Sequence, residues 1–148
     1  YVGGDGIVAD KVVLPDGTEI SMGSQTNFRY DPQYGKEKRV VYLEGEAFFN
    51  VAMQKDKPFI VVVNGQEIEA LGTKFNVDAY PSDSVVTTTL LEGSIRLVSE
   101  KVNTSTVLTP NQQYIYHKNK GSYKVAQVDA ALYTSLFYGF DIVLIIGK

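Results

Sequence analysis

Asp16-Gly17-Thr18-Glu19-Ile20 lies over Asn64-Gly65-Gln66-Glu67-Ile68 at an offset of 48 residues. At the same offset Leu43-Glu44-Gly45 lies over Leu91-Glu92-Gly93. Each match is short, but they share one spacing, which predicts a doubled unit with a tight turn and a strand entry at equivalent places. Asp-Gly and Asn-Gly between apolar runs are hairpin signals, because glycine takes positive φ without steric cost. The fold read from these anchors is all-β: two stacked sheets of the sandwich, jelly-roll or flattened β-helix type. Its halves, around residues 12–58 and 60–106, are expected to be equivalent.

The flanking sequence alternates strand and turn. Val12-Val13-Leu14 enters the first turn and Glu19 to Met22 leaves it. Asn27–Tyr30 and Arg39–Leu43 read as strands, the latter broken at Glu44-Gly45 and resumed over Glu46–Val51. Phe59–Val63 is a continuous apolar run, as in a strand covered on both faces. Glu67–Leu71, Lys74–Tyr80 and Ser94–Val98 alternate with the period of a half-buried strand. Threonine-rich 85–91 and the segments Val107-Leu108, Tyr114–Tyr116 and Tyr123–Val125 complete the set. Phe48, Phe59, Phe75 and Val77 are the expected core. Asp129–Tyr138 is the one helix-like piece, with Asp129 placed to accept first-turn amides.

Composition narrows the function. The chain has 148 residues, no cysteine and a formal net charge of -3. That length suits one domain with a self-sufficient core. Without cysteine there is no disulfide framework, thiolate nucleophile or thiolate metal site. A nucleic-acid surface needs clustered Lys and Arg, whereas the lysines here are scattered among turns and balanced by acids. The chain begins at Tyr1 without a signal-like leader and reads as a processed chain or excised fragment. The apolar stretch from Phe137 is too short and interrupted to span a membrane as a helix. Its run Ile142–Ile146 reads as a β-branched strand whose edge offers self-association.

Candidate chemistry is sparse. His117, the single histidine, reads as a loop residue, and no Gly-x-Ser-x-Gly elbow accompanies it. A zinc site would have to lean on carboxylates. Glu44, Glu46 and Glu92 are the acids that could serve glycoside hydrolysis if held at catalytic separation. The alternative is that they face solvent or pair with Arg39 and Arg96. Asp16, Asp31 and Asp83 read as turn formers. Gly3-Gly4-Asp5-Gly6 lacks the Lys and helix of a phosphate loop. Asn103-Thr104-Ser105 matches a glycosylation sequon. Ten tyrosines without tryptophan offer stacking platforms for sugars, or strand residues with buried rings. No catalytic, cofactor-binding or metal residue is assigned, no cofactor is expected, and partner-binding residues stay open.

The order of motifs carries a resemblance. Leu14-Pro15-Asp16-Gly17-Thr18, Phe28-Arg29-Tyr30 and Leu43-Glu44-Gly45-Glu46-Ala47-Phe48-Phe49-Asn50-Val51 come first. Lys57-Pro58-Phe59, Leu71-Gly72-Thr73-Lys74-Phe75-Asn76-Val77, Leu91-Glu92-Gly93 and Leu108-Thr109-Pro110-Asn111-Gln112-Gln113 follow. Over about Val12 to Val128 this series resembles the periplasmic domain of the FecR family of anti-sigma factors, Bacteroidetes type. The Gly-Glu-Ala-Phe-Phe and Leu-Gly-Thr-x-Phe-Asn-Val blocks are its specific parts. The resemblance implies a non-enzymatic periplasmic signalling module of a transmembrane anti-sigma factor. Its implied partners are an extracytoplasmic-function sigma factor, bound through a cytoplasmic segment, and an outer-membrane TonB-dependent transducer. It also implies a division into an N-terminal flexible or edge segment (1–11), the all-β domain (12–128) and a C-terminal segment (129–148). The family usually continues with a Trp and a transducer-contacting domain, where this chain has Leu136-Phe137-Tyr138-Gly139-Phe140. The competing reading is a carbohydrate-binding β-sandwich.

Overall fold

The computed structural model describes residues 10–99 and 104–133. Gly3 to Gly6, Asn103 of the sequon, residues 134–138 of the expected helix and the strand expected at 142–146 lie outside them. Twelve strands form: β1 Asp10–Val13, β2 Glu19–Met22, β3 Asn27–Tyr30, β4 Arg39–Asn50, β5 Phe59–Val63 and β6 Gln66–Ala70. They continue with β7 Lys74–Ala79, β8 Val85–Glu92, β9 Ile95–Ser99, β10 Thr104–Leu108, β11 Gln112–His117 and β12 Ser122–Gln127. A helical turn opens at Ala130, where Asp129 Oδ1 accepts the Ala131 amide at 3.3 Å as expected of a cap.

All twelve strands belong to one curled sheet with two wings. The first wing runs β3-β4-β5-β6-β9-β10 and the second β1-β2-β4-β7-β8-β11-β12. β4 belongs to both. Residues 39–44 pair with β3 and β5, and residues 45–50 with β2 and β7. The predicted break at Glu44-Gly45 is therefore a change of partners inside a continuous strand. Gly45 sits there at φ 122°, and a Cβ on it would collide with Thr26 Oγ1. Only glycine fits a left-handed backbone crossed this closely. Gly93, its counterpart, has φ 88°, and a Cβ there would stand 2.7 Å from Thr73 Cγ2. In the second copy the strand divides here into β8 and β9.

The doubled unit is visible in the strand pairing. β2 meets β4 through Glu19↔Asn50, Ile20↔Phe49, Ser21↔Phe48 and Met22↔Ala47. Adding 48 to every number gives Glu67↔Val98, Ile68↔Leu97, Glu69↔Arg96 and Ala70↔Ile95, the observed register of β6 on β9. The turns correspond as well: Asp16-Gly17 joins β1 to β2, and Asn64-Gly65 joins β5 to β6. Asn64 at φ 49° and Gly65 at φ 76° form the two-residue turn that matches the twist of a hairpin. The pairing of β3 with β4 recurs as β7 with β8 in a shifted register, with a bulge between Lys74 and Phe75. The offset also exchanges the wings. It carries β1, β2 and the end of β4 from the second wing to β5, β6 and β9 in the first, and β3 with the start of β4 to β7 and β8 in the second.

Inward residues of both wings fall into one buried cluster that includes Ile20, Leu43, Phe49, Phe59, Val61, Ile68, Phe75, Val77, Leu90, Leu97 and Tyr114. A chain of rings crosses it: Tyr30–Tyr34 at 5.5 Å, Tyr34–Phe59 at 6.4 Å, Phe59–Phe49 at 5.9 Å and Phe49–Phe75, stacked, at 5.0 Å. Phe59, Phe75 and Val77 are core residues as expected. Phe48 is buried too, but it falls outside this cluster, because alternation along β4 turns Ala47 and Phe49 inward and Phe48 to the other face.

Candidate functional site

Where β3, β4 and β5 lie side by side, the outer face of the first wing carries a groove lined by polar and aromatic side chains. Its volume is about 500 Å³, and its lining includes Asn27, Arg29, Tyr42, Glu44, Val62 and Asn64. The register sets this composition: Asn27 lies opposite Glu44, Arg29 opposite Tyr42 and Tyr42 opposite Val62. The Arg29 guanidinium sits over the Tyr42 ring, 3.9 Å from its centroid. Such a contact holds cation and ring together. It also takes up one face of the tyrosine that a sugar would need for stacking. The Tyr42 hydroxyl reaches Asp31 Oδ2 at 3.4 Å.

The three candidate glutamates are not brought together. Glu44 is exposed on the groove wall, and Glu92 is exposed with Lys74 at 3.7 Å. Glu46 is half-buried opposite Asp78 and accepts a hydrogen bond from Asn76 at 3.0 Å. Arg96 pairs with Glu69, at 2.9 Å to both carboxylate oxygens, rather than with any of the three. His117 is not a loop residue. It closes β11, half-buried, opposite Val85 and Ser122. The tyrosines are mostly strand residues: Tyr114 and Tyr116 are buried, Tyr30 and Tyr42 half-buried, and the exposed Tyr123 stacks on Tyr114 at 4.9 Å. Among the described residues no group of three His, Asp or Glu side chains is placed to hold a metal ion.

Sequence reasoning missed a buried polar centre. Arg39, read as a partner for the glutamates, is fully buried and binds Asp16, read as a plain turn former. Arg39 Nη1 donates to Asp16 Oδ2 at 2.8 Å and to the Ala52 carbonyl at 2.7 Å, and Nε donates to the Lys57 carbonyl at 2.8 Å. Asp16 also accepts the Thr18 amide, the Thr18 hydroxyl and the Tyr34 hydroxyl. Burial alone would raise the Asp16 pKa, but Arg39, Thr18 and Tyr34 outweigh it and hold the carboxyl below its usual range. Burial, then the Asp16 charge, pushes the Tyr34 phenol well above its own. These bonds fasten the turn at 14–18 to the entry of β4 and the segment 52–57, while the buried Arg39 Nη2 has no partner among the described residues. The one legible signal was Asp16-Gly17-Thr18, whose short polar side chains favour local backbone bonds.

The pattern of the FecR protein family matches residues 8–96, more than half of the chain. The chain belongs to the FecR family. Two crystal structures of a candidate anti-sigma factor from Parabacteroides distasonis ATCC 8503, at 2.50 and 1.65 Å, share its architecture. Each is 32% identical with a TM-score of 0.84, over 90% of this chain. The chain spans 62% of the length of that protein. Among curated proteins none matches. On this FecR domain the family blocks are architectural positions: Gly45 lets β4 change wings, Phe49 and Phe75 stack in the core, and Thr73 closes against Gly93. Among the described residues no helix is long and apolar enough to cross a membrane.

Proposed function

We propose that this chain is the periplasmic signalling module of a transmembrane anti-sigma factor, one that regulates an extracytoplasmic-function sigma factor in response to an outer-membrane TonB-dependent transducer. The FecR pattern over residues 8–96, together with the likeness to a candidate anti-sigma factor, carries this reading. The sigma factor would be held by a cytoplasmic segment and the transducer met by a further domain, with this module as the rigid body between them. Its elements suit that part, because the buried chemistry ties turns to strands and Glu44, Glu46 and Glu92 are not gathered round one cleft. We therefore read the module as non-enzymatic.

The test is transcription from a promoter read by the cognate sigma factor. Deleting the gene for the whole protein should uncouple that promoter from its inducer, and a copy lacking residues 12–128 should fail to restore the response. A deletion strain that responds to inducer as the parent does would overturn the reading. The Arg29–Tyr42 groove favours a second reading as a carbohydrate-binding module, since Asn27, Asn64 and Glu44 flank an aromatic ring. Saturable binding on a glycan array, lost in Tyr42→Ala, would establish it instead.

A further inference from the structure

Glu46 on β4 and Asp78 on β7 are direct cross-strand partners. Their neighbours Ala47, Val77 and Ala79 are in the core cluster, so the two carboxyl groups project together from the opposite face of the second wing. Side chains in this relation have Cβ atoms about 4.5–5.5 Å apart, and like charges there repel.

Donors are scarce around the pair. Asn76 Nδ2 donates to Glu46 Oε2 at 3.0 Å. Asn76 is only 4% exposed, and among the described residues its Oδ1 has no donor; the buried Asp78 Oδ1 has none either. The three side chains thus present about five acceptor oxygens against the two N–H groups of a single amide. The surroundings do not correct this. On β7, Lys74 pairs with Glu92, and across β8 Thr87 lies opposite Asp78. From the end of β2, Gly23 contributes a backbone amide to the Glu46 carbonyl. Past β7, Tyr80 gives its hydroxyl to the Ser24 carbonyl, and Asp83 adds a third negative charge. Lys118, beyond β11, directs its ammonium to the carbonyls of Tyr80 and Pro81. No ion pair reaches either carboxylate among the described residues.

We propose that Glu46 and Asp78 share a proton, which makes the β4–β7 seam a proton-operated joint within the second wing, beside the point where β4 changes wings. The carboxyl proton is the donor that this set of acceptors lacks. Its place gives it leverage. Glu46 follows Gly45, where β4 changes wings, and its backbone is clasped by Thr26, whose hydroxyl accepts the Glu46 amide at 3.0 Å and meets the Glu46 carbonyl at 3.2 Å. Removing the proton sets two charges face to face at that crossing. Burial, with the Asp78 charge, raises Glu46 against the opposing Asn76 bond; burial and then Asp83 raise Asp78. Both folded values lie above the unfolded ones. The stabilisation is therefore complete below the ordinary carboxylate range, near pH 4, and is lost as pH rises through the raised values.

The experiment is a thermal-melting series from pH 4.5 to 8 on the wild-type chain, Glu46→Gln and Asp78→Asn, with carbon-13 titration of the wild-type carboxyl groups. The wild type should lose several degrees of melting temperature across the range, and each amide variant should remove most of that slope. The carbon-13 shifts of Glu46 and Asp78 should move together, above the ordinary carboxylate range. Parallel melting profiles in all three proteins, or carboxyl shifts that titrate normally, would overturn the proposal; the wild-type titration decides it even if a variant does not fold. Millimolar calcium or magnesium that stabilises the wild type at pH 8, but not Asp78→Asn, would overturn it too, by showing that a metal cation rather than a proton bridges the two carboxylates.

Discussion

Replacing Arg39 with Met tests whether the buried ion pair holds the first hairpin to the body of the fold. The side chains of Arg39 and Asp16 are 0% and 7% exposed. Methionine fills much of the same volume but gives no hydrogen bond. The Ala52 and Lys57 carbonyls then lose their guanidinium donor, at a cost of about 1–3 kcal/mol for each group left buried and unpaired. Asp16 keeps Thr18 and Tyr34 as donors, so its desolvation is only partly uncovered. Together these place the loss at roughly 3–5 kcal/mol, the range for breaking a buried pair from one side. Urea unfolding followed by tyrosine fluorescence gives the number, since the chain has no tryptophan. Arg39→Lys should recover only part of it, because an ammonium cannot reproduce the fork of Nε and Nη1 bonds. A pH arm sharpens the test. Asp16 is lowered in the folded state, so its contribution is present above the unfolded carboxylate pKa of about 3.9 and is lost as pH falls through the folded value. Without Arg39 the folded value rises toward the unfolded one, so this acid loss should shrink. A destabilisation below about 1 kcal/mol, with acid profiles that coincide, would refute the view that this pair is a structural fastening.

Three further outcomes follow from the packing. Phe75→Ala removes a fully buried ring stacked on Phe49 and should cost about 3–5 kcal/mol in the same urea assay. Gly45→Ala forces a left-handed backbone onto an L side chain and drives a Cβ to 2.8 Å from Thr26 Cα, so a loss of at least ~2 kcal/mol is expected in melting experiments. Glu44→Gln and Glu92→Gln should leave stability within about 0.5 kcal/mol of wild type, as for exposed positions, and incubation of any of these proteins with a glycan panel should release no reducing sugar.

Turn chemistry made the architecture legible. Asn64-Gly65 can take two positive φ values in succession where most dipeptides cannot, so the hairpin and its copy at Asp16-Gly17 stood out in the sequence. The alternation of Lys74–Ala79 likewise marked Phe75 and Val77 as inward. What stayed hidden depends on through-space pairing. Arg39 and Asp16 are 23 residues apart, and a buried guanidinium contradicts the usual rule that arginine stays wet. Gly45 read as a break because a glycine in a strand gives the same signal whether the strand stops or changes partners. Glu46 and Glu44 read as a natural pair at a spacing of two. Pairing across β4 and β7 instead selects Asp78, and no local pattern in either segment specifies that register.

The exchange of strands between wings has a consequence for the history and dissection of this chain. Two copies laid end to end as separate beads could be cut apart, and each would survive. Here each copy contributes strands to both wings, so a chain ending near residue 58 would retain parts of both wings and a closed core in neither. The duplicated segment resembles one subunit of an intertwined dimer whose two halves have been joined by a peptide bond. If so, halves made separately should stay unfolded alone and assemble when mixed, as two strands of a rope hold a shape that neither keeps by itself.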